Sequence, residues 1–247
     1  MTGGKIRLSA RLRAIADMVT PGNMVCDVGC DHGYLPIFLV EQNISPKVLA
    51  MDVREGPLGH AREHVLEAGL GDYITLRLCD GLAGFEIGEA QTLVCAGMGG
   101  RLMQRILSRE PDKTKSFREL ILQPQSELAW FRRFLREQGY FILWEDMIWE
   151  EGKFYPIMKA VLKGQATCRL KRENRQELED RFGPILLERR HPVLFDYLKR
   201  EKESAGRLKA LLEKTGESER ARQRFKELEE EIKYIEEAMR LWEKGGV

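Results

Sequence analysis

Four carboxylates fall where a nucleotide-type ligand would meet them. Asp27, Asp52 and Asp80 stand at or just after the ends of apolar runs, and Asp31 shares the turn "CDVGCDHGYLP" (residues 26–36) with an imidazole, His32. In an open parallel sheet, ligands sit outside the C-terminal ends of the strands, so these acids predict a single acid-lined site. Gly29 and Gly33 allow backbone to approach a ligand closely at the first turn. A dinucleotide there would bring its pyrophosphate against Asp31, a repulsion of at least about 1 kcal/mol even when fully hydrated. The spaced set "DVGCDHG", "AMDV" and "LCDG" therefore points to a cationic ligand.

S-adenosylmethionine has that character: a sulfonium and an ammonium, no phosphate, a ribose diol and an adenine amine. A carboxylate accepts from both ribose hydroxyls, which suits Asp52, with Val53 beside it. Asp80, followed by Gly81, suits the amine. Asp27 either faces the ligand or hydrogen-bonds the turn backbone, and His32 is either a cofactor contact or only an early helical residue. No metal site is expected. His60 and His64 have helical spacing but no third ligand, and Cys26 and Cys30 have no second cysteine pair. The five cysteines (Cys26, Cys30, Cys79, Cys95, Cys168) read as buried thiols.

Positioning these residues requires alternating strands and helices. Residues 24–28, 48–53, 73–78, 91–96 and 118–123 read as strands. In "GPLGHAREHVLEAG" the residues Leu58, Ala61, Val65 and Leu66 make an apolar face. "SELAWFRRFLREQG" turns Trp130, Phe134 and Leu135 inward, and "YFILWEDMIWEEGKFYPIMKAVL" reads as an antiparallel hairpin turning near Glu150–Lys153. The expectation is an α/β, Rossmann-like sheet, mostly parallel with an antiparallel final hairpin, over residues 1–163. Residues 164–247 follow a different pattern. Leu194, Leu198, Glu201, Ala205, Leu208 and Leu212 recur at heptad-like spacing, as do Ala221, Phe225, Leu228, Ile232, Ile235, Met239 and Trp242. Two such stripes predict an all-α antiparallel coiled coil, with Pro184 and Pro192 bending the chain after a helix around Asn174–Phe182.

With 43% hydrophobic residues the chain can bury an ordinary core, but no apolar run approaches the roughly 18–20 residues of a membrane span. The N-terminus lacks a signal-peptide core, so a cytoplasmic protein is expected. Residues 165–247 carry 20 Lys and Arg against 18 Asp and Glu, and the rest of the chain 20 against 21. Any basic surface must therefore be assembled by folding.

"RLSARLRAIADMVTPGNMVCDVGCDHGYLPIFLV", "AMDV", "CDGL", "AGMGG", "LILQPQ" and "EEGKFYPIM" together resemble the bacterial tRNA adenine-22 N1-methyltransferases over essentially the whole chain. Two positions depart from that family's pattern: Cys30 replaces a commoner serine, and Gln125 a commoner asparagine. The resemblance implies a class I methyltransferase using S-adenosyl-L-methionine and releasing S-adenosyl-L-homocysteine, with a C-terminal coiled coil that binds tRNA; a monomer is expected, with an oligomer left open. It places Gly29, Asp31, His32 and Gly33 around the methionine part, Asp52 at the ribose, and Asp80 and Gly81 at the adenine. Gly97, Met98 and Gly99, with Gln123 and Pro124, would adjoin the target base, and Tyr34 and Tyr155 are candidates to stack on it. Candidate RNA contacts are Arg7, Arg11, Arg189, Arg190, Lys199, Arg200, Arg207 and Lys209. Two other functions remain open: methylation of another RNA, a protein or a small molecule, and a non-catalytic adaptor that binds the same cofactor.

Overall fold

Short, uninterrupted apolar runs make strands that are covered on both faces, and this chain has four of them in its parallel sheet. The computed structural model describes residues 6–165, 175–215 and 218–243. Cys168 and Asn174 lie outside them. The parallel strands are β1 (Val25–Val28), β2 (Val48–Asp52), β3 (Ile74–Leu78), β4 (Thr92–Met98) and β5 (Glu119–Pro124). Every residue of β1, β2 and β5 is buried, whereas in β3 at the sheet edge only Ile74 is. Two antiparallel strands, β6 (Tyr140–Glu150) and β7 (Lys153–Leu162), complete a seven-stranded sheet of order β3-β2-β1-β4-β5-β7-β6. Glu151 and Gly152, both at positive φ, form their two-residue turn.

The strand order reverses between β1 and β4, and that is where ligands bind in such sheets. Helices α1 (Ala10–Met18), α2 (Tyr34–Glu41), α3 (Glu55–Glu67), α4 (Gly100–Arg109), α5 (Pro111–Ser116) and α6 (Leu128–Glu137) connect and cover the strands. A buried polar knot ties α1 to the sheet: Glu119 accepts from Thr20 N–H and Oγ1, from Thr92 Oγ1 and from Lys159 Nζ at 2.6–2.9 Å. Burial pushes the Glu119 carboxyl up, but the hydrogen bonds from Lys159, Thr20 and Thr92 outweigh it and hold it below its ordinary value.

Some expected core positions shift. Leu66 is 67% exposed, because the apolar stripe of α3 runs through Leu58, Ala61 and Val65 and leaves it to one side. Trp130 is half-buried, stacked beneath the Arg101 guanidinium at 3.7 Å, and Phe131 takes the interior place. Arg132 is also interior, its Nε donating to the buried Glu145 at 2.9 Å.

The chain forms two compact units, residues 1–171 and 172–247, against an expected division at 163/164. The first unit thus takes in the short 3-10 turn Lys163–Gln165 that follows β7. The second contains α7 (Gln176–Phe182), α8 (Pro184–Glu188), α9 (Pro192–Thr215) and α10 (Glu219–Glu243). Helices α9 and α10 pair antiparallel, as the cross-links Lys202–Glu236 and Lys209–Glu229 and the Phe195–Trp242 ring stack require. Leu194, Leu198, Ala205, Leu228 and Ile235 are buried. Leu208 is not: it rotates off the line of Leu198 and Ala205 and is partly exposed. Glu201 sits near Glu231, and burial with that neighbouring charge pushes its carboxyl up.

Candidate functional site

The turn after β1 is laced to the end of β2. Gly29 and Cys30 donate to the Met51 carbonyl at 2.8 and 3.0 Å, and Asp31 N–H donates to Asp52 Oδ2 at 3.2 Å. Gly29, Asp31 and Gly33 all have positive φ. A Cβ on Gly29 would lie 2.2 Å from Met98 Cε, and one on Gly33 would lie 3.0 Å from Ala61 Cβ. The first glycine thus admits β4's terminal methionine, and the second admits α3. His64 of α3 reinforces the clamp: its Nδ1 donates to the His32 carbonyl at 2.9 Å, which fixes the proton on that nitrogen because a carbonyl only accepts.

Beyond this turn lies a cleft of about 470 Å3 at the C-terminal ends of β1, β2 and β4. Asp27, Asp31, Asp52 and Asp80 all line it, joined by Gly29, His32, Val53, Gly81, Gly97 and Met98. Asp27 is only 4% exposed, and among the described residues nothing donates a hydrogen bond to its side chain. Burial pushes its carboxyl up to about 7, with the Asp52 charge adding to the push. Asp52, 5% exposed, accepts Arg54 N–H on Oδ1 at 2.9 Å and Asp31 N–H on Oδ2. Each oxygen keeps a second lone pair for a ligand hydroxyl. Asp80 is more open and pairs with Arg109 at 2.6 Å.

The cleft also has a cationic corner. Arg11 donates to Gln123 Oε1 at 3.1 Å and lies 5.3 Å from the Tyr155 ring centre. The same Gln123 oxygen accepts Gly97 N–H at 3.1 Å, so one buried amide orients both the arginine and the glycine wall. A buried, unpartnered carboxyl suits a cation, and backbone-glycine walls suit a flat group. Acids for the sulfonium and ammonium, a carboxylate for the diol and no phosphate cradle fit S-adenosylmethionine. Among the described residues no cluster of three or more His, Cys, Asp or Glu is arranged to hold a metal ion, and Cys26, Cys30, Cys79 and Cys95 are free thiols.

Residues 8–158 match the model of the methyltransferase domain family. The chain belongs to that family. This methyltransferase is also 28% identical to the tRNA (adenine(22)-N(1))-methyltransferase of Bacillus subtilis, over 95% of its own length and 98% of that protein. The crystal structure of the B. subtilis m1A22 tRNA methyltransferase superposes with a TM-score of 0.82, covering 95% of this chain and 99% of that one. Streptococcus pneumoniae Sp1610 in complex with S-adenosyl-L-methionine is 33% identical, with a TM-score of 0.79 over 94% of this chain and all of that one.

Not every expected site residue of this methyltransferase lines the cleft. Gly33 packs on α3, and Gly99 caps α4 against Ser126. Gln123 is 0% exposed and Pro124 is buried, so both lie behind the wall and Gln123 acts through Arg11 and Gly97. Tyr155 sits beneath Arg11. Gln125, the position departing from the family pattern, does line the cleft, as do Arg54, Cys79, Leu102 and Ile106. The last two are i,i+4 on α4, and the sequence marks them only as core-like spacing. Arg7 is exposed and is not part of the lining. In the second unit Lys199 pairs with Asp196, Arg207 with Glu203 and Lys209 with Glu229, while Arg189, Arg190 and Arg200 are exposed.

Proposed function

We propose that this methyltransferase methylates N1 of adenine 22 in tRNA, using S-adenosyl-L-methionine. The buried acid Asp27 carries the reading, set beside Asp52 in a cleft with a glycine wall, in a chain that matches m1A22 enzymes from end to end. Bound there, S-adenosylmethionine supplies a methyl group on a sulfonium. Asp52 accepts from the ribose diol, and Asp27 and Asp31 favour the cationic amino-acid end. Gly97 and Met98 leave room for a flat base, and the Arg11–Gln123 hydrogen bond holds a cation at the cleft wall for the polyanion. Adenine N1 carries a free lone pair at neutral pH, so no general base is required of the chain. Its residues align the acceptor and exclude water. The adenine must first leave its stack, which costs a few kcal/mol, and Tyr34, 42% exposed at the cleft, is placed to recover part of this by stacking.

A tRNA partner, a monomeric state and a cytoplasmic location belong to the same reading, and among the described residues no helix is long and apolar enough to cross a membrane. The test is incubation with methyl-labelled cofactor and unmodified tRNA transcripts, followed by primer extension. Arrest at adenine 22 is expected. Label transferred elsewhere, or cofactor bound without transfer, would overturn the assignment.

A further inference from the structure

Among the described residues that line the cleft, Gln125 is the only carboxamide. Strands β4 and β5 run in register from Thr92 and Glu119 to Ala96 and Gln123, and the register then shifts so that Met98 pairs with Pro124. This bulge turns Gly97, at φ 77°, out of the ladder and into the cleft lining. Gln125 follows directly. Its N–H donates to the Met98 carbonyl at 2.8 Å, and the buried Gln123 and Pro124 before it fix where its backbone starts. A Cβ on Gly97 would lie 3.6 Å from Arg11 Nη1 and 3.9 Å from Gln125 Nε2, so these two side chains flank bare backbone. Arg11 is tied to Gln123, whereas the Gln125 side chain is exposed and has no hydrogen-bond partner among the described residues.

We infer that Gln125 reads the target adenine on its N6–N7 edge and is a specificity-determining residue of the transfer. The inference rests on the adenine-N1 reading above. N1 must face the methyl group, so an amide paired with N1 would block the lone pair that attacks. The N6–N7 edge leaves N1 free and sets a donor, the N6 amine, beside an acceptor, N7. A carboxamide matches both at once. The charged side chains of the cleft do not: the carboxylates of Asp31, Asp52 and Asp80 only accept, Arg11 and Arg54 only donate, and Asp27 is buried within β1. As N1 attacks, its lone pair forms the new N–C bond and the S–C pair returns to sulfur. A neutral thioether and a cationic base result. The N6 hydrogens become stronger donors as that charge develops, so Gln125 Oε1 holds the transition state more tightly than the ground state. Guanine presents two acceptors on the same edge, O6 and N7, and cannot satisfy Oε1.

The test is a cycle of enzyme and base. Wild type and Gln125→Ala are assayed under single turnover on tRNA transcripts carrying adenine or 7-deazaadenine at position 22, the second base lacking the N7 acceptor. Gln125→Ala should slow transfer to adenine about 10- to 100-fold, with S-adenosylhomocysteine affinity and circular dichroism unchanged. Wild type should lose about 10-fold on 7-deazaadenine. The variant should lose less than about 2-fold, because its contact is already gone, and differences in intrinsic reactivity cancel since both enzymes meet the same bases. Gln125→Glu should reverse the preference and favour 7-deazaadenine, because its second acceptor repels N7 but not the C7–H. Equal penalties in wild type and Gln125→Ala, an unslowed Gln125→Ala, or a Gln125→Glu that still prefers adenine would overturn the inference. So would a matching loss of S-adenosylhomocysteine affinity, which would place Gln125 at the cofactor. A wild type that methylates adenine 22 without this coupling sinks only the role of Gln125. One that leaves adenine 22 unmodified sinks the enzymatic reading and the inference with it.

Discussion

Asp27 is a carboxyl in a place that disfavours its charge. Burial pushes it up to about 7, against 3.8 for the free group. Between those pH values the folded protein keeps a proton that the unfolded chain has released. The stability this group contributes is therefore full below about pH 4 and is lost as pH rises through about 7. Thermal melts of the unliganded protein should show a decline in midpoint from pH 5 to pH 8 that Asp27→Asn largely removes. An identical pH profile in the variant would show that Asp27 is not the group responsible. Binding a cationic ligand favours the ionised form, so cofactor binding should release a proton near pH 6.5, visible as a buffer-dependent heat in calorimetry. Asp52→Ala should reduce cofactor affinity by at least about 10-fold, the loss of roughly one charged hydrogen bond, while leaving circular dichroism intact. Normal affinity would refute the ribose assignment.

Elements are held to one another by a few polar contacts and close approaches. Lys159 on β7 reaches Glu119 on β5 at 2.7 Å and the Met18 carbonyl at the end of α1 at 2.9 Å. Lys159→Met would leave Glu119 buried without its cation, and a loss of about 3–5 kcal/mol in chemical denaturation is expected. A loss below about 1 kcal/mol would mean that the threonine hydroxyls suffice. Gly33 joins two requirements, φ of 76° and contact with Ala61. Gly33→Ala should cost about 1–2 kcal/mol from the left-handed backbone alone and should weaken cofactor binding as well, since α3 clamps the turn. The glycines of "DVGCDHG" were legible as turn residues, but the separate steric reason for each depends on Met98 and Ala61, which are distant in the chain.

At the scale of the whole molecule, the chain divides into two compact units, and the cleft lies in the first. A ligand held in the first unit stabilises it by RT ln(1 + [L]/Kd), about 2.7 kcal/mol at a hundredfold excess over Kd. Hydrogen exchange with saturating S-adenosylhomocysteine should therefore slow at the β1–α2 turn and the end of β2, while amides of α9 and α10 keep their rates. Slowing of equal size in the hairpin would show that the units respond as one.

Read by itself, the sequence determined the strand–helix alternation, the antiparallel hairpin, the helical second unit and the acid-lined turn. Each of these rests on local periodicity or on residues adjacent in the chain. Two things depended on the tertiary structure. Gln123 lies behind the wall, holding Arg11 and Gly97. Gln125 and two residues of α4 face the cleft. Burial, hydrogen-bond partners and ion pairing are properties of neighbours in space, and local pattern carries no information about which distant residue becomes a neighbour.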